Sequence, residues 1–199
     1  MKSSQGISDT ECLEEQARDT DLRHIQKSLR GDGNAYGQLV KKYEPAIFRQ
    51  MAHYSKDQNV IRELVQEVFI EAYRGLGGYR ADAPFLHWLR RIASRVGYRY
   101  WNLQRRERNR TVPLEEWHKN MAARPPEELE PSEAAEMLYD LLERLPPKDR
   151  MVLTLMYFES CDIPMIAERM GWSQTLVRVR LFRARKRLRK LFLEADSGR

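Results

Sequence analysis

Apolar residues recur at steps of three and four along most of the chain, the spacing of one face of a helix. Leu22, Ile25 and Leu29 form a short stripe that ends at Gly31. A second begins near Asp32 or Asn34 and runs through Tyr36, Leu39, Val40, Tyr43, Ile47 and Met51. Pro45 lies inside it and predicts a kink or a loosened turn. A third covers about 58–74, with Ile61, Leu64, Val65, Val68, Phe69, Ala72 and Tyr73 inward; Gly75, Gly77 and Gly78 stop it. After a glycine-rich loop to Pro84, Phe85, Leu89, Ile92, Val96, Tyr100 and Leu103 line a fourth.

From about Arg108 to Ser132 the period fades and Pro113, Pro125, Pro126 and Pro131 appear, which predicts a linker anchored at most by Leu114 and Trp117. Leu138, Leu141, Leu142 and Leu145 then mark a helix ended by Pro146 and Pro147, the second proline suiting the first turn of the next helix. Ile163, Ile166, Ala167 and Met170 follow on a short helix. A turn at Gly171–Trp172–Ser173 leads into a long basic helix with Ser173 as its expected N-cap. No segment alternates as a strand would. The chain reads as all-α: an acidic arm over 1–20, a helical domain over 21–108, a linker over 109–132 and a second helical domain over 133–193.

Composition narrows the function by exclusion. With 42% hydrophobic and 32% charged residues over 199 positions, the chain can bury real cores. No apolar run reaches membrane-spanning length, and the first twenty residues lack a signal peptide's apolar core, so a cytoplasmic protein is expected. Cys12 and Cys161 are far apart and the four histidines are scattered, so neither a zinc site nor a disulfide framework is indicated. There is no HExxH and no GxSxG. The expectation is a protein that is not an enzyme, needs no cofactor and takes no small-molecule substrate.

Charge placement says more than the net +6. Residues 87–110 hold eight arginines and one Glu, and residues 174–191 hold eight Lys or Arg and no acid. The segment between them, 111–132, is net acidic, as are the first twenty residues. Two concentrated basic segments suit two footprints on a polyanion. On the first, Arg90, Ser94, Tyr98, Trp101, Arg105 and Arg108 share the face opposite the apolar stripe. Guanidiniums meet phosphates and flat rings meet unstacked bases, so this face has the composition for gripping single-stranded nucleic acid; the alternative is that Tyr98 and Trp101 pack beneath the linker. The second is the helix-turn-helix pattern: Leu176, Val177, Leu181, Ala184 and Leu188 inward, Arg178, Phe182, Arg183, Arg185, Arg187 and Lys190 outward or flanking.

These segments resemble a known family. GDGNAYGQLVKKY (31–43), ELVQEVFIEAYRGL (63–76), PFLHWLRRIA (84–93), LERLPPKDRMVLTLMYF (142–158) and IAERMGWSQTLVRVRLFRARKRLRK (166–190) occur in the order and spacing of bacterial RNA polymerase sigma factors of the extracytoplasmic-function (ECF) type. The resemblance implies two helical domains, regions 2 and 4, that bind core RNA polymerase and promoter DNA, commonly under an anti-sigma protein. It implies polymerase contacts at Glu63, Gln66 and Glu67, with Glu63 where the family usually has Asp. Tyr79, Trp88, Arg91 and Arg95 match positions that open and read the minus-ten element, Arg95 standing where Asn is frequent. Tyr98 and Trp101 join them from the basic face. Arg178, Val179, Phe182 and Arg183 match positions that meet the minus-thirty-five element, with Leu176 and Val179 where Thr and Ser are common. The rival readings are a free-standing helix-turn-helix regulator, which should dimerise on a palindrome, and an RNA-binding protein using the same arginine-aromatic helix.

Overall fold

Aspartates start three of the helices. Asp32 accepts from the Ala35 amide at 3.1 Å and opens α2 (Gly33–Met51). Asp57 accepts from Asn59 at 2.8 Å and opens α3 (Gln58–Gly75). Asp162 accepts from Met165 at 2.8 Å and opens α7 (Ile163–Met170). Each satisfies an amide that has no partner inside its own helix. Gly171 ends α7 at φ +66°, the left-handed conformation glycine adopts without cost. Ser173 then accepts from Leu176 at 3.2 Å and starts α8 (Gln174–Asp196), as its position predicts.

The computed structural model describes the backbone of residues 5–110 and 133–196, and the side chains of 16–108 and 138–194. The remaining helices are α1 (Gln5–Leu29), α4 (Phe85–Arg110), α5 (Glu133–Glu143) and α6 (Pro147–Leu153). A 3₁₀ turn at Leu76–Gly78 follows α3, and a π turn at Thr154–Phe158 follows α6. No strand occurs among the described residues, and no helix there is long and apolar enough to cross a membrane.

One expectation changes. The chain is helical from Gln5, so most of the expected 1–20 arm belongs to α1; between Ile7 and Leu29 neither proline nor glycine interrupts it. Helix α2 continues through Pro45, which lies on its exposed face. Leu114 and Trp117, the expected linker anchors, lie outside the described residues.

Helices α1–α4 close around Leu39, Ile47, Met51, Ile61, Val68, Ala72, Leu89, Ile92 and Val96, all nearly or wholly buried. Helices α5–α8 close around Met151, Leu155, Ile166, Val177, Leu181 and Ala184. Asp149, fully buried, binds α6 to α8 through Arg180 at 3.3 Å and through Arg187. The Arg169–Glu159 pair, 2.6 Å long with side chains 2% and 8% exposed, ties α7 to the π turn's end.

The two groups of helices also meet. Tyr54, 2% exposed, donates its hydroxyl to the Met151 sulfur at 3.6 Å. Tyr54 lies against α4 because residue 97 is glycine; a Cβ there would overlap its ring. Arg91–Glu168, Lys56–Asp140 and Arg108–Glu143 pair across the seam at 3.2, 3.4 and 3.7 Å. A cavity of about 340 Å³ opens between Arg49, Gln50, His53 and Arg90 on one side and Phe158, Glu159 and Ser160 on the other.

Candidate nucleic-acid interface

The second basic segment presents its expected residues together. Val177, Leu181 and Ala184 bury one stripe of α8, which turns Arg178, Val179, Phe182 and Arg183 outward on the opposite side. Phe182 is 70% exposed with arginines on either side, and Val179 is 40% exposed. Arg178 reaches Gln174 at 3.4 Å, an exposed contact that a stronger acceptor can replace. Arg187, placed outward or flanking by the sequence pattern, is engaged by Asp149.

The first basic segment divides. Arg95 is exposed and has no described partner. Arg91, half-buried, is paired with Glu168. Tyr98 sets its ring edge-on to Trp172 of the turn before α8, with centroids 6.1 Å apart. Trp101 departs from its expected place on the basic face. It is 3% exposed, its indole N–H donates to the Tyr54 carbonyl at 2.9 Å, and its ring stacks 4.6 Å from that of Tyr54. The Arg150 guanidinium covers its outer side at 4.0 Å, with burial pushing the Arg150 pKa down to about 10. Trp101 is therefore core at the seam. Ser94, grouped with the same face, is fully buried, accepting from Gln50 at 3.2 Å and donating to the Arg90 carbonyl at 2.9 Å. Leu103, placed in the apolar stripe, is 50% exposed.

The loop between the 3₁₀ turn and α4 is built on aromatics. Tyr79 is half-buried, donates to the Ala83 carbonyl at 2.6 Å, and places its ring 5.5 Å from both Phe85 and Trp88. Burial raises its phenol pKa. Trp88 is half-buried and packs near Gly75 at the end of α3.

On α3, Glu63, Gln66 and Glu67 share an exposed face, and Ile70 and Tyr73, each 49% exposed, continue it. Glu67 is not free: Arg99 of α4 bridges Glu67 and Glu71, at 2.7 Å to each. Sequence reading missed Arg99, Asp149 and Arg150, whose partners are remote along the chain. Among the described residues no group of His, Cys, Asp and Glu could hold a metal.

Family models match both halves: Sigma-70 region 2 over residues 39–107 and Sigma-70, region 4 over residues 135–188. The chain is 31% identical over 175 residues to the ECF RNA polymerase sigma-E factor of Haemophilus influenzae, covering 84% of this chain and 92% of that one. It belongs to the ECF RNA polymerase sigma factors. The RNA polymerase sigma-H factor of Pseudomonas aeruginosa is 30% identical over 181 residues, covering 87% of this chain and 94% of its relative. Two solved structures share the fold. CnrH in complex with the cytosolic domain of CnrY gives a TM-score of 0.58 at 23% identity, over 89% of this chain and 99% of that one. The sigma factor RpoE of Bartonella quintana, in complex with the anti-sigma factor NepR, gives 0.54 at 19% identity, over 79% and 96%. This sigma factor is thus a non-catalytic initiation factor, and the free-standing regulator is not the favoured reading.

Proposed function

We propose that this sigma factor divides promoter recognition between the two exposed basic surfaces just described, with 21–108 and 133–193 as the working domains. The observation that carries this is the outer face of α8. A phenylalanine 70% exposed between Arg178 and Arg183 has no packing role there, and a major-groove helix needs such a set: arginines for base edges and phosphates, an apolar group for thymine methyls. Arg178, Val179, Phe182 and Arg183 are assigned to the minus-thirty-five element. Tyr79, Trp88, Arg91, Arg95 and Tyr98 are assigned to the minus-ten element, and Trp101 is withdrawn from that set. Unstacking a base costs a few kcal/mol, and contacts of about 1–3 kcal/mol per base on aromatic or pocket surfaces offset it.

Glu63 and Gln66, with Ile70 and Tyr73 beside them, are assigned to core polymerase; Glu67 contributes its position under Arg99 and half of its carboxylate. The protein acts in the cytoplasm, where its polymerase partner works. An anti-sigma protein is the proposed inhibitor, by analogy with the Bartonella quintana sigma factor held by one. The test is run-off transcription with bacterial core polymerase. Arg178→Ala should weaken promoter binding by about 1–3 kcal/mol and relax the choice of base it contacts. Unchanged sequence discrimination by that variant would remove Arg178 from base readout.

A further inference from the structure

The promoter-binding assignments leave one inward stripe of α1 unexplained. Arg18, Asp21, Ile25 and Ser28 recur at steps of three and four, and the last three are buried. The Asp21 carboxylate accepts from Lys42 at 2.5 Å and from the Tyr43 hydroxyl, and the Tyr43 ring lies 5.5 Å from Phe85. That anchor fixes α1 one turn from Arg18, whose guanidinium donates to the carbonyl of Ala81. Ala81 sits in the loop before α4 at φ +60°, a left-handed conformation that an alanine resists. The loop's other described side-chain brace, Tyr79 to Ala83, is internal to it. The bond from Arg18 ties the strained residue to a different element. Burial raises the Tyr79 phenol pKa, and the nearby Arg18 charge opposes part of that rise.

We propose that Arg18 is a positioning residue for minus-ten capture: it holds Ala81 in its left-handed conformation and thereby keeps Tyr79 and the mouth of the 79–84 loop in the shape that receives a base. This rests on assigning that loop to the minus-ten element. Strain at a binding loop persists only where surrounding contacts over-determine it, and here the Tyr79 ring packed on Phe85 and Trp88 of α4 is joined by one guanidinium from α1.

The test uses full-length protein in holoenzyme. Discrimination between the preferred minus-ten sequence and its single-base variants is read by permanganate reactivity of promoter thymines, and promoter affinity is read across a salt series. Arg18→Ala should lower discrimination about fivefold, the factor carried by one net hydrogen bond, with the salt slope unchanged. Arg18→Lys, which can still donate to the carbonyl, should restore part of it. A uniform loss of affinity with a slope shallower by about one unit would make Arg18 a phosphate contact and overturn the proposal. So would unchanged discrimination, or a lowered thermal midpoint with discrimination intact. Tyr79→Ala separates the two levels. If it impairs discrimination and Arg18→Ala does not, only the brace is wrong; if Tyr79→Ala has no effect, the loop assignment fails and the brace with it.

Discussion

Tyr98 and Trp101 stand three positions apart among arginines and face different fates. Tyr98 keeps one side open, while Trp101 is closed between Tyr54 and Arg150. Their shared composition could not separate them, because the residue that covers Trp101 comes from α6, beyond the linker. The readings that succeeded at this scale were local: Ser173 as a cap, Val177, Leu181 and Ala184 inward, Phe182 outward. Trp101→Ala should cost about 3–5 kcal/mol of stability through lost burial and an orphaned carbonyl on Tyr54, measured by urea unfolding. A Trp101→Ala protein that unfolds like wild type yet opens promoters slowly would return the ring to the DNA.

At the scale of elements, α8 is two helices in one. Its outer face carries exposed charge; its flank is charge consumed by Asp149, which is fully buried and holds both Arg180 and Arg187. The run of eight basic residues was legible as a basic helix, but its division was not, since the acid lies 38 residues before Arg187. Asp149→Ala should lower stability by about 2 kcal/mol, the scale of charged hydrogen bonds, discounted because both arginines retain access to water. Thermal unfolding of the full chain reads this. Asp149→Ala should also steepen the salt dependence of DNA binding, because Arg187 is released to reach phosphate. Helix α1 teaches the same lesson in reverse: periodicity found only its apolar end, and its polar half is fixed by Asp21, whose partners Lys42 and Tyr43 lie on another helix.

At the scale of the molecule, the seam between the two groups of helices holds a polar, titratable cavity beside its Tyr54–Trp101 core. The His53 ring lies 5.4 Å from that of Phe158, its Nδ1 has no hydrogen-bond partner among the described residues, and Arg49, Arg90 and Glu159 line the cavity beside it. Burial lowers the His53 pKa below the usual 6.5. The opened or unfolded chain then binds the proton more readily, so the stability that neutral His53 contributes is present above pH 6.5 and is lost as pH falls through its lower folded value. Glu159, raised by burial, shifts in the opposite sense, with Arg169 opposing that rise. It is common to wild type and His53→Phe, so the difference between them isolates the histidine. Between about pH 8 and 5 the thermal midpoint of His53→Phe should fall less than that of wild type. Parallel curves would show that His53 does not titrate differently on folding.

On the proposed minus-ten assignment of Arg91, its pairing with Glu168 across the seam competes with the promoter, since one guanidinium cannot serve Glu168 and a phosphate fully at once. Exposed pairs weaken as ions are added, so the fraction of molecules with Arg91 released grows with ionic strength. Apparent affinity is intrinsic affinity multiplied by that fraction. Added salt thus acts on both sides of the ledger, displacing the protein from DNA while freeing more of it to bind. A count of phosphate contacts taken from the slope of affinity against salt will come out smaller for this chain than the number of arginines that touch the backbone.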